Sequence, residues 1–174
     1  TIWFTGLGGD PKGDPYFRHL YRVNIDKDPI VALTPEDFEH DAQLSPSGKY
    51  VISTHSTPDT PPVTVLRDAT GKILQELGRT DISKLTATGW TPPMRITMKG
   101  RDGKTDIYGV LFRPSTFDPA KKYPIINQIY PGPQTGSMGS RAFSTARGDA
   151  AALAELGFVV VQIDGMGTPN RKKS

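Results

Sequence analysis

The sequence predicts a chain in two parts: an all-β first half, then a mixed β and α/β second half. Three observations carry this. From Ile2 to Leu77, short alternating or apolar segments recur about every ten residues, separated by Gly, Pro, Asp and Ser turns. Pro92-Pro93 then interrupts the pattern, and prolines break both strand ladders and helices. Last, the apolar runs Pro124 to Tyr130 (PIINQIY) and Phe158 to Ile163 (FVVVQI) flank an Ala-rich segment. That reads as strand, helix, strand, with loop residues at the carboxyl end of each strand, where open α/β sheets bind ligands.

The elements follow in order. Ile2 to Thr5 is a strand, and Gly6 to Pro15 a turn-rich loop. Leu20 to Ile25 alternates apolar and polar with period two, the mark of a half-buried strand. Pro46-Ser47-Gly48 is a tight turn leading into a strand over Tyr50 to Thr54. Pro62 to Arg67 and Ile73 to Leu77 are strands joined by a turn at Asp68 to Lys72. By local pattern alone, a free-standing β-sandwich and part of a larger β array read alike. Asp81 to Trp90 is a connector. Met94 to Lys99 and Thr105 to Arg113 form a hairpin, with Asp102-Gly103 supplying the positive φ of a tight turn.

Pro124 to Tyr130 is nearly continuous in apolar residues, the pattern of a strand buried on both faces. Ala146, Ala150, Leu153 and Ala154 share one helical face, and Gly157 sits where a left-handed helix stop belongs. Phe158 to Ile163 returns as a parallel strand.

Composition sets limits. With 174 residues the chain holds one domain or two small ones. The net charge of +3 is a modest Lys/Arg excess, so no nucleic-acid partner is implied. The one tight basic cluster is Arg171-Lys172-Lys173. Zero cysteines exclude disulfides, thiolate zinc sites and a Cys nucleophile. No apolar run approaches the roughly 20 residues of a membrane helix. Thr1 to Thr5 reads as a strand already under way, so the start of the natural chain is expected to lie upstream.

Particular residues then point to a family. Gly100-Arg101-Asp102-Gly103, Tyr108 to Pro114, Lys121-Lys122-Tyr123-Pro124, Tyr130-Pro131-Gly132-Pro133 and Asp164-Gly165-Met166-Gly167 occur in this order. Upstream, Ser45 to Val51 (SPSGKYV) and Asp68 to Lys72 (DATGK) resemble the turns of one propeller blade. Together they resemble the prolyl oligopeptidase family of serine peptidases, dipeptidyl peptidase IV-like subfamily. The resemblance implies a partial β-propeller, its last one to two blades, over residues 1–89. It implies the N-terminal half of an α/β-hydrolase sheet over 90–174. The parent protein would then release N-terminal Xaa-Pro dipeptides from peptide substrates without metal or organic cofactor, and related bacterial enzymes are periplasmic or secreted.

Such a peptidase needs a nucleophile, a base, an orienting acid and oxyanion donors. The nucleophile of α/β-hydrolases sits in G-x-S-x-G, which this sequence lacks, and acid and base follow it in chain order. The 174 residues alone are therefore expected to be inactive. His19, His40 and His55 are expected to be structural, bonded to backbone or water, and no ligand spacing suggests a metal. Ser137, Ser140 and Ser144 are expected as polar surface and helix-cap residues. Glu36, Asp37 and Glu39 are expected as a solvated acidic patch. By resemblance, Tyr130 donates its hydroxyl to the oxyanion, Gly132 and Pro133 shape the loop beside it, and Asp164 organises its own turn. Met166 stands where the family often has Arg, leaving that turn without its usual cation.

Two other readings remain open: a non-catalytic interaction module, and a related acylaminoacyl peptidase or oligopeptidase. Phe158 to Ile163 is expected to end as an exposed apolar edge, favouring self-association or association with the rest of the polypeptide.

Overall fold

The computed structural model describes residues 1–8, 13–130 and 135–171. It divides into two units, one built from Thr1–Thr57 and Pro61–Thr80, the other chiefly from Asp81–Pro169.

The first unit holds two antiparallel sheets. β1 (Ile2–Leu7), β2 (Arg18–Asn24) and β3 (Lys27–Ala32) form one in sequential order. β4 (Glu39–Leu44), β5 (Tyr50–Thr57), β6 (Thr60–Asp68) and β7 (Ile73–Arg79) form the other. Leu20, Leu33 and Val51 make its apolar core. The turns come where their residues demand them. Gly48 (φ +69) closes the β4–β5 turn and Gly71 (φ +91) the β6–β7 turn. A Cβ on Gly71 would stand 2.6 Å from the Leu33 carbonyl oxygen.

β3 and β4 have no counterpart in the sequence reading. β3 carries Lys, Asp and Pro, and β4 (EHDAQL) has few apolar residues, so neither shows the hydrophobic periodicity that marks strands. β4 is held by ladder bonds to β5 and by buried polar side chains. Here the expected acidic patch is corrected. Only Asp37 is exposed. Glu39 is buried and accepts from the Arg18 backbone N–H (2.8 Å) and side chain. Glu36 takes a bidentate pair from Arg67 at 3.0 and 2.9 Å. Arg67, 1% exposed, also donates to the Gly71 carbonyl at 3.0 Å. A buried guanidinium needs such partners, and the carboxylates supply them.

The histidines lie in strands and pack ring against ring at tilted angles of 44° and 41°. Ring centroids are 5.3 Å apart for His19 and His40, and 5.6 Å for His40 and His55. His19 Nδ1 is 2.6 Å from the Thr34 carbonyl oxygen, and His40 Nε2 is 3.1 Å from that of Glu36. Backbone partners were expected; the ring-to-ring packing was not. Burial, aided by the nearby His19 and Arg67 charges and opposed by Glu36, lowers the His40 pKa to about 4. Burial also lowers that of His55.

An imidazole that stays neutral in the fold while the unfolded chain takes up a proton costs stability in acid. The His40 contribution is intact above its ordinary value of 6.5, declines as pH falls, and is fully lost below about 4. A shift of that size is worth on the order of 3 kcal/mol. Thermal midpoints between pH 7 and pH 4.5 should therefore drop steeply, and His40→Gln should flatten that slope. An unchanged slope would remove His40 as the cause.

In the second unit, the connector contains one short turn of helix, α1 (Ser83–Thr86). β8 (Met94–Lys99) and β9 (Asp106–Phe112) pair antiparallel, closed by Gly103 at φ +68. β10 (Ile125–Asn127), α2 (Ala150–Glu155) and β11 (Val159–Asp164) follow, and the sheet order is β10-β11-β9-β8. β10 runs parallel to β11 and β11 antiparallel to β9. α2 is shorter than expected: Ala146 lies outside it, Gly148 (φ +56) delays its start, and Gly157 (φ +100) ends it as foreseen. Its buried Ala150 and Ala154 pack with Val110, Phe112, Met138 and Val160.

Two expectations about this sheet are overturned. β11 is not an exposed edge, because it inserts between β10 and β9. The edge strand beside it is β10, and it is not a strand buried on both faces: it is three residues long, with Ile125 69% exposed. A crossover helix can return the chain on either side of its first strand, and here it returns inward. Close approach of β9 and β11 depends on Gly109, where a Cβ would stand 2.5 Å from the Gln162 carbonyl oxygen.

Candidate functional site

The carboxyl ends of β10 and β11 lie side by side, as their parallel register requires. The last sheet bond from the β10 segment is Gln128 N–H to the Val161 carbonyl, 2.9 Å. Tyr130 follows just beyond, 51% exposed. Its backbone N–H donates to Ser137 Oγ at 3.0 Å. Gly132 and Pro133, and Lys172 and Lys173, lie outside the described residues.

Asp164, the last residue of β11, is the buried centre of this region. Its Oδ1 accepts the backbone N–H of Ser137 at 2.6 Å and of Met138 at 3.3 Å. Its Oδ2 is 2.7 Å from Arg141 Nη1, with side chains only 1% and 2% exposed. The loop comes this close because residue 136 is glycine: a Cβ there would meet Asp164 Oδ1 at 2.7 Å. Asp164 thus organises its surroundings, with Arg141 as its paired cation. Met166 itself is exposed.

Arg147 closes the loop from the other side, donating to the carbonyls of Ser140 (2.7 Å), Ala142 (2.5 Å) and Met138 (3.3 Å). Burial and then the Arg141 charge lower its pKa. Between this loop and the strand ends lies a cleft of about 360 Å³, lined among others by Gln128, Ser137, Phe143, Arg147 and Gln162. Gln162 Nε2 donates to Gln128 Oε1 at 2.8 Å across its floor.

The serines meet the expectation in part: Ser140 is polar surface, but the helix-cap role fails. None caps α2, whose N-cap residue Asp149 makes no side-chain cap bond. Ser140 Oγ accepts from Ala142 N–H and Ser144 Oγ donates to the Ala146 carbonyl, folding the loop on itself. Ser137 is half-buried and joins Tyr130 to Asp164. Sequence reasoning also missed Arg141, which is distant in sequence from its carboxylate. The available hint was two arginines, Arg141 and Arg147, in a Gly/Ser-rich loop whose nearest carboxylate is Asp149. Among the described residues, no group of three His, Cys, Asp or Glu side chains is placed to hold a metal ion. No described helix is long and apolar enough to cross a membrane.

Comparison with known proteins gives this geometry a context. A family model, the dipeptidyl peptidase IV (DPP IV) N-terminal region, matches residues 1–62, the part where the sequence motifs are sparsest. Mouse dipeptidyl peptidase 8 is 29% identical over 185 aligned residues, covering 98% of this chain and 19% of its own length. Dipeptidyl-aminopeptidase B of Aspergillus niger is 29% identical over 161 residues, covering 90% of this chain and 18% of its own. A crystal structure from Bacteroides ovatus, described as a dipeptidyl aminopeptidase IV, matches with a TM-score of 0.73 at 29% identity, over 98% of this chain and 26% of that one. The class is therefore that of the dipeptidyl peptidases. Within it, the chain is a segment of a dipeptidyl peptidase IV-like protein of the prolyl oligopeptidase family. It spans about a fifth of the length of the curated relatives it matches.

Proposed function

We propose that the protein containing this chain is a serine-type exopeptidase that releases N-terminal Xaa-Pro dipeptides through an acyl-enzyme. Residues 1–89 are the end of its β-propeller and residues 90–174 the start of its α/β-hydrolase domain. The observation that carries the second assignment is the strand order β10-β11-β9-β8, with β10 and β11 parallel and joined through α2. That arrangement suits the opening half of a hydrolase sheet, in which the reacting groups gather at the carboxyl ends of the parallel strands. The sequential antiparallel order β4-β5-β6-β7 suits a propeller blade.

In this reading Tyr130 donates its phenolic hydroxyl to the tetrahedral oxyanion. It stands at the carboxyl end of its strand and is half exposed, so a scissile carbonyl can reach it. Serine, aspartate and histidine of the triad come from sequence beyond these 174 residues, which alone have no peptidase activity. What supports the substrate class is the naming of the relatives as dipeptidyl peptidases.

The test uses the full-length protein. It should hydrolyse a free-amine Ala-Pro p-nitroanilide and be inactivated by a serine-directed fluorophosphonate. Blocking the substrate's amine should abolish turnover. Preference for an N-acetylated amino-acid anilide would instead indicate an acylaminoacyl peptidase. No turnover of either substrate would overturn the enzyme reading.

A further inference from the structure

We propose that Ser137, Asp164 and Arg141 are positioning residues for Tyr130, setting where its hydroxyl meets the oxyanion. This rests on the reading of Tyr130 as an oxyanion donor. A donor lowers the barrier only if its oxygen is already held where negative charge will develop. Tyr130 stands beyond the last sheet hydrogen bond of its segment, at Gln128. Half of its surface faces solvent.

A chain of bonds through Ser137 ties its backbone to the neighbouring strand. Tyr130 N–H donates to Ser137 Oγ (3.0 Å), and Ser137 N–H donates to Asp164 Oδ1 (2.6 Å). Asp164 belongs to β11, where it stands opposite Tyr108 of β9. The position of Tyr130 is thereby referenced to an interior strand rather than to its own short edge strand. Arg141 holds the other carboxylate oxygen and offsets a charge that is 99% removed from solvent. Gly136 allows the approach that brings Ser137 within bonding distance of the carboxylate. An ionised carboxylate is the acceptor suited to this task, since charge-assisted bonds are shorter and stronger than neutral ones.

The test is a kinetic double-mutant cycle in the full-length enzyme on the Ala-Pro anilide. Ser137→Ala removes the acceptor for Tyr130 while keeping the Ser137 backbone bond to Asp164. It should lower kcat roughly tenfold with KM nearly unchanged, because a small misplacement of a reacting group costs rate more than binding. Ser137→Thr, which keeps a hydroxyl, should restore most of the rate. In a Tyr130→Phe background, Ser137→Ala should cost nothing further. Thermal midpoints of the Ser137 variants should match the parent, which separates positioning from general unfolding.

A full-rate Ser137→Ala enzyme, or an equal loss in both backgrounds, would overturn the positioning proposal. Neither outcome touches the role of Tyr130. If Tyr130→Phe alone retains full kcat, the donor reading fails, and this proposal fails with it.

Discussion

Tyr130→Phe in the full-length enzyme should lower kcat on an Xaa-Pro substrate by about 10²- to 10³-fold and leave KM within a small factor. The substitution removes one oxygen and keeps the ring, so the shape of the strand end is preserved. As the proposed oxyanion donor, the missing hydroxyl would bond the planar substrate carbonyl poorly and the tetrahedral oxyanion well, so its loss would raise the transition state more than the bound ground state. Removing one such donor typically costs about 3 kcal/mol of barrier. Steady-state kinetics separate the outcomes. A fall in kcat alone is the signature of a transition-state contact, whereas a rise in KM alone would make Tyr130 a substrate-binding aromatic.

The second large effect is on stability. Arg141→Met should destabilise the second unit by about 3–5 kcal/mol, the usual cost of leaving a buried charge without its partner. Asp164 is the charge in question, 1% exposed and 2.7 Å from Arg141. Its two backbone donors, Ser137 and Met138, remain but carry no full positive charge. Adding Asp164→Asn should recover part of the loss, because an amide oxygen can still accept from Ser137 without the cost of a buried anion. Chemical denaturation of the parent and the two variants, with hydrogen exchange of the β11 amides, measures both steps. An Arg141→Met protein as stable as the parent would mean that water replaces the guanidinium at Asp164.

The two effects meet in one loop. Asp164 holds the backbone of Ser137, and Ser137 holds that of Tyr130. A polar cluster of this kind contributes little net stability compared with an apolar one, yet it defines a single geometry. The buried polar residues of the first unit have a different consequence. Arg67 with Glu36, Arg18 with Glu39, and the ring-to-ring histidines occupy space that apolar residues would fill in a simpler sheet. His40 and Glu36 make that unit sensitive to acid. Arg67 holds the Glu36 carboxyl below its ordinary range despite the opposing effect of burial, so its contribution is also lost as pH falls.

Some features of this protein were legible without coordinates because they depend on local chemistry. Where a strand buries one face, period-two alternation marks it, as in β6. Turns at Gly48, Gly71 and Gly103 and the helix stop at Gly157 follow from positive φ, which only glycine adopts freely. Family membership was legible because a run of ordered motifs survives in the sequence. β3 and β4 were not legible, since their stability comes from ladder bonds and polar partners on other strands. Nor was the place of β11 inside the sheet, because strand order depends on which side the crossover returns. The link from Asp164 through Ser137 to Tyr130 was equally hidden. It joins residues far apart in sequence by single hydrogen bonds, which leave no periodic trace and exist only once the strand ends are brought together.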